Sequence, residues 1–241
     1  MRSKKISIFT FILVIVLSFT NTMTAFAGGR SDERTITLKG YTYRFWSVIN
    51  NPSTGEIFAQ TTLDVVDKEA PTGYIGARAR LYSSSGTLVN YTSWKYNTEK
   101  QGCLLVYSNF KHSSGYYYSK GQVKLYNGNG YTTYSCYATP NYSPSSANVS
   151  TMSTNTNIQK NGKGEVYGSE IFLNQMGIEP ELILAEGNDG IIGYVRAEDL
   201  ETDNVQTLDE AIAYMDNRTL SYRIPLYASD GKTVIGAFTI G

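Results

Sequence analysis

The sequence of 241 residues predicts a mainly β protein, with an N-terminal β-sandwich or barrel-like domain followed by a small C-terminal α+β domain. Three observations predict it. Between residues 41 and 138, short stretches of alternating side chains are separated by Gly, Ser and Asn turn signals, the spacing of a sandwich or barrel. The strongest helix signal lies far downstream, at Thr207 and Glu210. Charge divides the chain at the same place as composition. Residues 28–160 carry 13 Lys and Arg against 7 Asp and Glu, whereas residues 161–241 carry 5 against 14. A formal net charge of zero therefore hides two unlike halves.

The chain opens on a basic head of Arg2, Lys4 and Lys5, and residues 6–19 are almost wholly apolar. Ala25-Phe26-Ala27 then supplies the small-x-small pattern at which signal peptides are cleaved. The apolar run is shorter than the roughly 20 residues that span a bilayer. Residues 1–27 are thus expected to be a signal peptide, leaving a secreted, extracellular protein that begins near Gly28. No cysteine follows the cleavage site and no hydrophobic sorting tail closes the chain, so neither a lipid nor a wall anchor is expected, nor stable membrane insertion after cleavage.

Residues 28–140 form the expected basic β domain, which holds 15 of the 20 tyrosines once the stretch is extended to Tyr142. Residues 41–48 alternate between two faces. In residues 76–82, Ala77, Ala79 and Leu81 oppose Arg78, Arg80 and Tyr82, and the turn at residues 83–86 leads into a partner strand at 87–91. Residues 116–120, 122–126 and 131–138 follow as strands. The last two are joined by Asn127-Gly128-Asn129-Gly130, residues that tolerate the positive φ of tight hairpins. Cys103 and Cys136 are the only cysteines, and in an exported protein they are expected to form one disulfide. Closing a loop of 34 residues would stabilise the fold by roughly 3.5–4 kcal/mol.

Residues 141–163 are rich in Ser, Thr and Asn and poor in apolar side chains, so they are expected to link rather than fold. Residues 164–241 form the acidic α+β domain. Thr207 and Glu210 make a capping box, after which Leu208, Ala211, Ile212 and Met215 share one face of a helix that ends near Asn217. Hairpins are expected at 181–195, around Gly187-Asn188-Asp189-Gly190, and at 222–239, around Ser229-Asp230-Gly231-Lys232. Pro225 moves its strand toward a sheet edge.

Two blocks carry a resemblance. Residues 115–131, GYYYSKGQVKLYNGNGY, with Thr139 and Pro140 after them, resemble secreted two-domain proteins of Gram-positive bacteria. Residues 193–200, Ile224 to Tyr227 and residues 230–236 are similar to a module that recurs at the ends of other exported bacterial proteins. The resemblance implies export and two domains, and supplies no catalytic residue.

The chemistry follows mostly by exclusion. A single histidine, His112, and two cysteines exclude a His-rich zinc site and weigh against a thiolate one. No Gly-x-Ser-x-Gly elbow accompanies His112, and Ser108-Asn-Phe-Lys111 lacks the companion motifs of serine acyl-enzymes. Glycine pairs sit between strands, so no phosphate-cradling loop is expected. No cofactor and no metal site are predicted. Asp64, Asp67 and Glu69 are the carboxylates a glycan hydrolase would use, and Glu198, Asp199, Glu201, Asp203, Asp209 and Glu210 form an acidic run without EF-hand spacing. The aromatic, basic first domain points instead to binding, since Tyr and Trp faces stack on sugars and Lys or Arg attract anionic polymers. Trp46, Trp94, Tyr117, Tyr126, Tyr131 and Tyr134 are the candidate binding residues. The expected function is that of a non-enzymatic binding protein for a cell-wall polymer or glycan, with no nucleic-acid partner. A secreted antagonist and a carboxylate-dependent hydrolase are the alternatives.

Overall fold

A computed structural model describes residues 27–53, 55–144, 158–201 and 203–241. The expected signal peptide, apart from Ala27, and the greater part of the expected linker lie outside the described residues. The protein is mainly β, and among the described residues the helices lie in the C-terminal third.

The first sheet has six strands. β1 (Ala27–Arg30) and β2 (Arg34–Leu38) both lie along β3 (Tyr41–Asn51), which pairs with β4 (Glu56–Val66) over nine residue pairs. β4 then carries β9 (Cys103–Tyr107) and β10 (Lys111–His112) on its other side. Alternation, interrupted on β4 by the buried Thr62, gives this sheet its inside. Ile57, Ala59, Thr61, Leu63 and Val65 of β4 are buried, while Phe58, Gln60 and Asp64 turn outward. A second sheet of four strands runs in the order β13 (Tyr131–Ser135), β12 (Gln122–Tyr126), β5 (Ile75–Arg78) and β8 (Lys95–Tyr96). Val123 and Leu125 from it join Phe45, Ile49 and Leu63 in one apolar core. The Asn-Gly hairpin sits where the sequence places it, with Gln122 opposite Ser135 and Tyr126 opposite Tyr131.

The third sheet draws on both halves of the chain. Its nine strands run β11 (Tyr117–Ser119), β6 (Arg80–Ser83), β7 (Leu88–Tyr91), β19 (Val234–Ile240), β18 (Tyr222–Tyr227), β17 (Ile192–Arg196), β16 (Leu182–Glu186), β15 (Val166–Gly168) and β14 (Gln159–Lys160). β7 meets β19 through Tyr91 opposite Ile240, and β16 through Leu88 opposite Ala185. It therefore closes β16–β19 into a ring of five strands. Tyr82, Leu88, Tyr91 and Tyr118 from the first half share a core with Ile183, Val195, Leu226, Phe238 and Ile240 from the second.

Two details of the β stretches depart from the sequence expectation for physical reasons. Residues 76–82 do not form one strand, because Ala79 leaves the ladder: its N–H bonds the Thr92 hydroxyl and its carbonyl accepts from Thr92 N–H. β5 and β6 thus belong to different sheets. Pro225 lies on β18, which meets β17 only where Tyr227 faces Tyr194, so its missing N–H disturbs no ladder on that side.

Among the described residues three helices cover the second half: α1 (Glu170–Gln175), α2 (Ala197–Leu200) and α3 (Leu208–Asn217). The Thr207 hydroxyl accepts from Glu210 N–H and the Glu210 carboxylate accepts from Thr207 N–H, the reciprocal capping read in the sequence. α3 ends at Asn217, and its Ala211 packs with Trp94, Tyr96 and Val205 in a small third core.

The expected disulfide does not form: Cys103 and Cys136 are both free thiols. Cys103 stands opposite Asp64, on the outward face of the β4–β9 ladder. Cys136 lies inside the first core, with its N–H on the Gly121 carbonyl. Side chains on opposite faces of a sheet cannot reach the Cβ separation that a disulfide demands. Burial and the nearby Asp64 push the Cys103 thiol up to about 11, and burial raises Cys136 to about 12.

Candidate binding trough

Arg78 and Arg80 end β5 and begin β6, one residue either side of the crossing at Ala79. The sequence pattern places them on the outward face, yet they are 3% and 2% exposed. The second half of the chain covers them. A buried guanidinium needs a counter-charge and hydrogen-bond acceptors, and each finds both. Arg80 donates from Nη1 to Glu170 on α1 at 2.7 Å and from Nε to the Lys120 carbonyl at 2.9 Å. Tyr82 donates to the other Glu170 oxygen at 2.8 Å. Burial alone would pull Arg80 down, but Glu170 more than reverses this; burial likewise pushes Glu170 up, and Arg80 with the Tyr82 hydroxyl holds it below the usual carboxylate range.

Arg78 is held differently. It donates from Nε to Gln122 Oε1 at 2.6 Å and from Nη2 to Glu201. Its guanidinium also lies 4.6 Å from the Tyr91 ring and 4.4 Å from the Trp94 ring. Glu170 is nearly buried, whereas Glu201 is half in water, its side chain 51% exposed.

Above this pair lies a cleft of about 390 Å³ whose walls include Gln122, Ser135, Glu170, Asn174, Pro180 and Glu201. It adjoins a second depression of about 450 Å³ around Glu165, Glu181, Arg196 and Glu198. Glu179, Pro180 and Ala197 line both, so the two form one elongated trough. Six carboxylates and three guanidiniums face it, and its lining comes from both halves of the chain. Such a surface offers donors and acceptors along its length, with a surplus of negative charge.

The six aromatic candidates do not form one surface. Trp94 is buried at 2% exposure, with Arg78 on its ring at 4.4 Å and Lys124 at 4.5 Å, so it has no face left for a sugar. Tyr117 is buried as well, its hydroxyl donating to Ser113. Trp46 is half-buried on β3 and carries the Arg30 guanidinium 4.0 Å from its ring. Tyr134 packs on Phe45 and takes Arg34 at 5.5 Å. Tyr126 and Tyr131 do come together, within a row that runs Tyr41, Tyr74, Tyr126, Tyr131, Tyr96 and Tyr214 at centroid spacings of 5.3 to 5.9 Å. Neighbours in this row meet edge to face or tilted, an arrangement that packs rings against one another.

The acidic candidates are likewise dispersed. Asp64 faces Arg44 at 3.6 Å, while Asp67, in a positive-φ turn, and Glu69 are exposed. In the acidic run, Glu201 serves Arg78, Asp203 serves Lys124, Glu210 caps α3 and Glu198 faces Arg196 at 3.9 Å. Asp199 is raised by burial and by Glu198, and lies off the trough. Among the described residues no group of three or more His, Cys, Asp or Glu is placed to hold a metal ion. His112 is exposed and 3.8 Å from Glu56.

The trough was hidden from sequence reasoning because its floor and walls lie about 90 residues apart in the chain, as Arg80 and Glu170 do. The one local signal was the pair of long cations on a single face of residues 76–82. Comparison of the chain with family models, with curated proteins and with solved structures finds no match.

Proposed function

We propose that this is an exported bacterial binding protein that holds a segment of glycan along the trough above Arg78 and Arg80. The trough's extent carries the reading: two depressions of about 390 and 450 Å³ share one wall, each within the range of ligand sites. Hydroxyl-rich chains suit a groove lined by carboxylates, amides and guanidiniums. The surplus of carboxylates favours neutral or amino sugars over anionic polymers. Export rests on the basic, then apolar, head of the sequence.

Binding is favoured over hydrolysis by the state of the carboxylates. A glycosidase needs a general acid whose carboxyl is raised, whereas Glu170 is held low by Arg80 and Tyr82, and Glu201 is engaged by Arg78. Calorimetric titration with soluble wall-derived oligosaccharides tests the reading. Ala197→Trp, which fills the shared wall of the trough, should abolish binding, and Tyr126→Ala, outside it, should leave binding intact. Unaltered binding by the Ala197→Trp protein, or no binding by the wild type, overturns the proposal.

A further inference from the structure

Most ion pairs of this protein use arginine or stand partly in water. Lys111 and Glu186, for example, are 27% and 17% exposed. One pair differs. Lys124 on β12 and Asp203, beyond α2, have side chains 10% and 0% exposed, and Lys124 Nζ donates to Asp203 Oδ1 at 2.6 Å. Among the described ion pairs it is the one in which a primary amine meets a carboxyl group inside the fold. The Trp94 ring lies 4.5 Å from Nζ, and Tyr96 donates its hydroxyl proton to Asp203 Oδ2 at 2.6 Å. Tyr96 is itself 1% exposed, with Tyr131 and Tyr214 packed on it.

We propose that Lys124 and Asp203 join in an intramolecular amide bond. A proton passes from Nζ to Oδ1 along the hydrogen bond already present, leaving an amine lone pair beside the Asp203 carboxyl carbon. Nζ attacks that carbon, and the negative charge develops on Oδ2, to which the Tyr96 hydroxyl is already donating. A second Nζ proton passes to the Oδ1 hydroxyl, the C–Oδ1 bond breaks and water departs. The product is a neutral amide whose carbonyl oxygen, Oδ2, keeps the Tyr96 hydrogen bond, and nothing is oxidised or reduced. Holding amine and carboxyl in contact replaces a bimolecular step with an intramolecular one, and the aromatic surround excludes the water that would reverse it. Two buried charges disappear in the process, which removes their desolvation cost.

The consequence is a covalent tie between positions 79 apart, from the four-stranded sheet to the segment that leads into α3. It would take the place of the disulfide that Cys103 and Cys136 do not make, since a cross-link restricts the unfolded chain in the same way.

Tryptic mass mapping of the purified full-length protein is the test. The expected product is a branched species, lighter by one water than its two parts, that joins the peptide containing Lys124 to the one containing Asp203, with no cleavage after Lys124. Lys124→Met should remove the branched species. Tyr96→Phe keeps the ring packing but removes the donor, and should reduce the branched fraction in freshly folded protein. Recovery of both linear peptides with full cleavage after Lys124 overturns the proposal, as would the same mass loss in the Lys124→Met protein.

Discussion

Arg80 carries its charge at the floor of the trough, only 2% exposed, so its worth depends on what remains when it is removed. Arg80→Ala leaves the Glu170 carboxylate nearly buried without its cation, and the expected loss is about 3–5 kcal/mol. Replacing the whole group with Arg80→Met, Glu170→Leu and Tyr82→Phe removes every polar member at once and should recover most of that loss, as denaturant titration would measure. The same site gives a pH dependence of definite sign. Glu170 is held below its unfolded value, which is about 4.3 for Glu. Its contribution is therefore complete above that pH and is lost as pH falls through the lower, folded value. Melting temperature should begin to drop as pH falls below about 5, and Glu170→Gln, though less stable throughout, should show a shallower drop there. The cysteines give a third outcome. Cys103 is exposed and Cys136 buried, so alkylation of the native, unreduced protein should label Cys103 alone, slowly because its thiol is raised to about 11. Cys136 should react only after unfolding, and reductant should leave the melting temperature unchanged.

Local chemistry was legible at the scale of single elements. The Thr207–Glu210 box, the Asn-Gly hairpin at Gln122–Tyr126 and Tyr131–Ser135, and the Ser-Asp-Gly-Lys hairpin all involve residues close in sequence, whose turn and cap preferences act without tertiary help. α3 makes that dependence measurable. Thr207→Ala removes the oxygen that accepts from Glu210 N–H, and should cost about 1 kcal/mol. Thr207→Ser, which keeps the acceptor, should cost far less. Illegible elements were those decided by distant partners. Residues 76–82 alternate like one strand, but the Thr92 hydroxyl claims Ala79 and splits them between two sheets. Arg78 and Arg80 carry no local mark of burial, because the carboxylates that neutralise them belong to α1 and to the residue after α2. The cysteines failed for a related reason: spacing gives their separation along the chain, and only sheet parity gives the face on which each lies. Trp94, read as a surface candidate, is buried because Val205 and Ala211 of the second half pack with it, and Tyr117, another, because its ring joins the first core.

At the scale of the whole molecule, composition and topology divide the chain differently. Charge and composition change near residues 141–163, but β6, β7 and β11 from before that point lie in the same sheet as β14 to β19 from after it. β7 does the most to join the halves. Without it the ring of β16–β19 is open between β19 and β16, and Phe238, Ile240 and Ala185 lose Leu88 and Tyr91 from their core. Uncovering those side chains would forfeit roughly 1.5–3 kcal/mol for each large apolar group, a heavy loss beside the 5–15 kcal/mol that stabilises a typical domain. The ion pairs Arg78–Glu201 and Arg80–Glu170 cross the same junction, so parting the halves would strand charges built to be paired. Residues 28–144 and 158–241, expressed separately, are therefore expected to fold poorly, with broad amide spectra and no cooperative melting. In a protein carrying Lys124→Met and Asp203→Asn, which cannot form the amide, a protease site inserted within residues 145–157 and cut after folding should leave two fragments that still elute together as one species and melt in one transition. Their separation on native gel filtration, or a well-dispersed spectrum from either half alone, would show that the shared sheet is not what holds the molecule together.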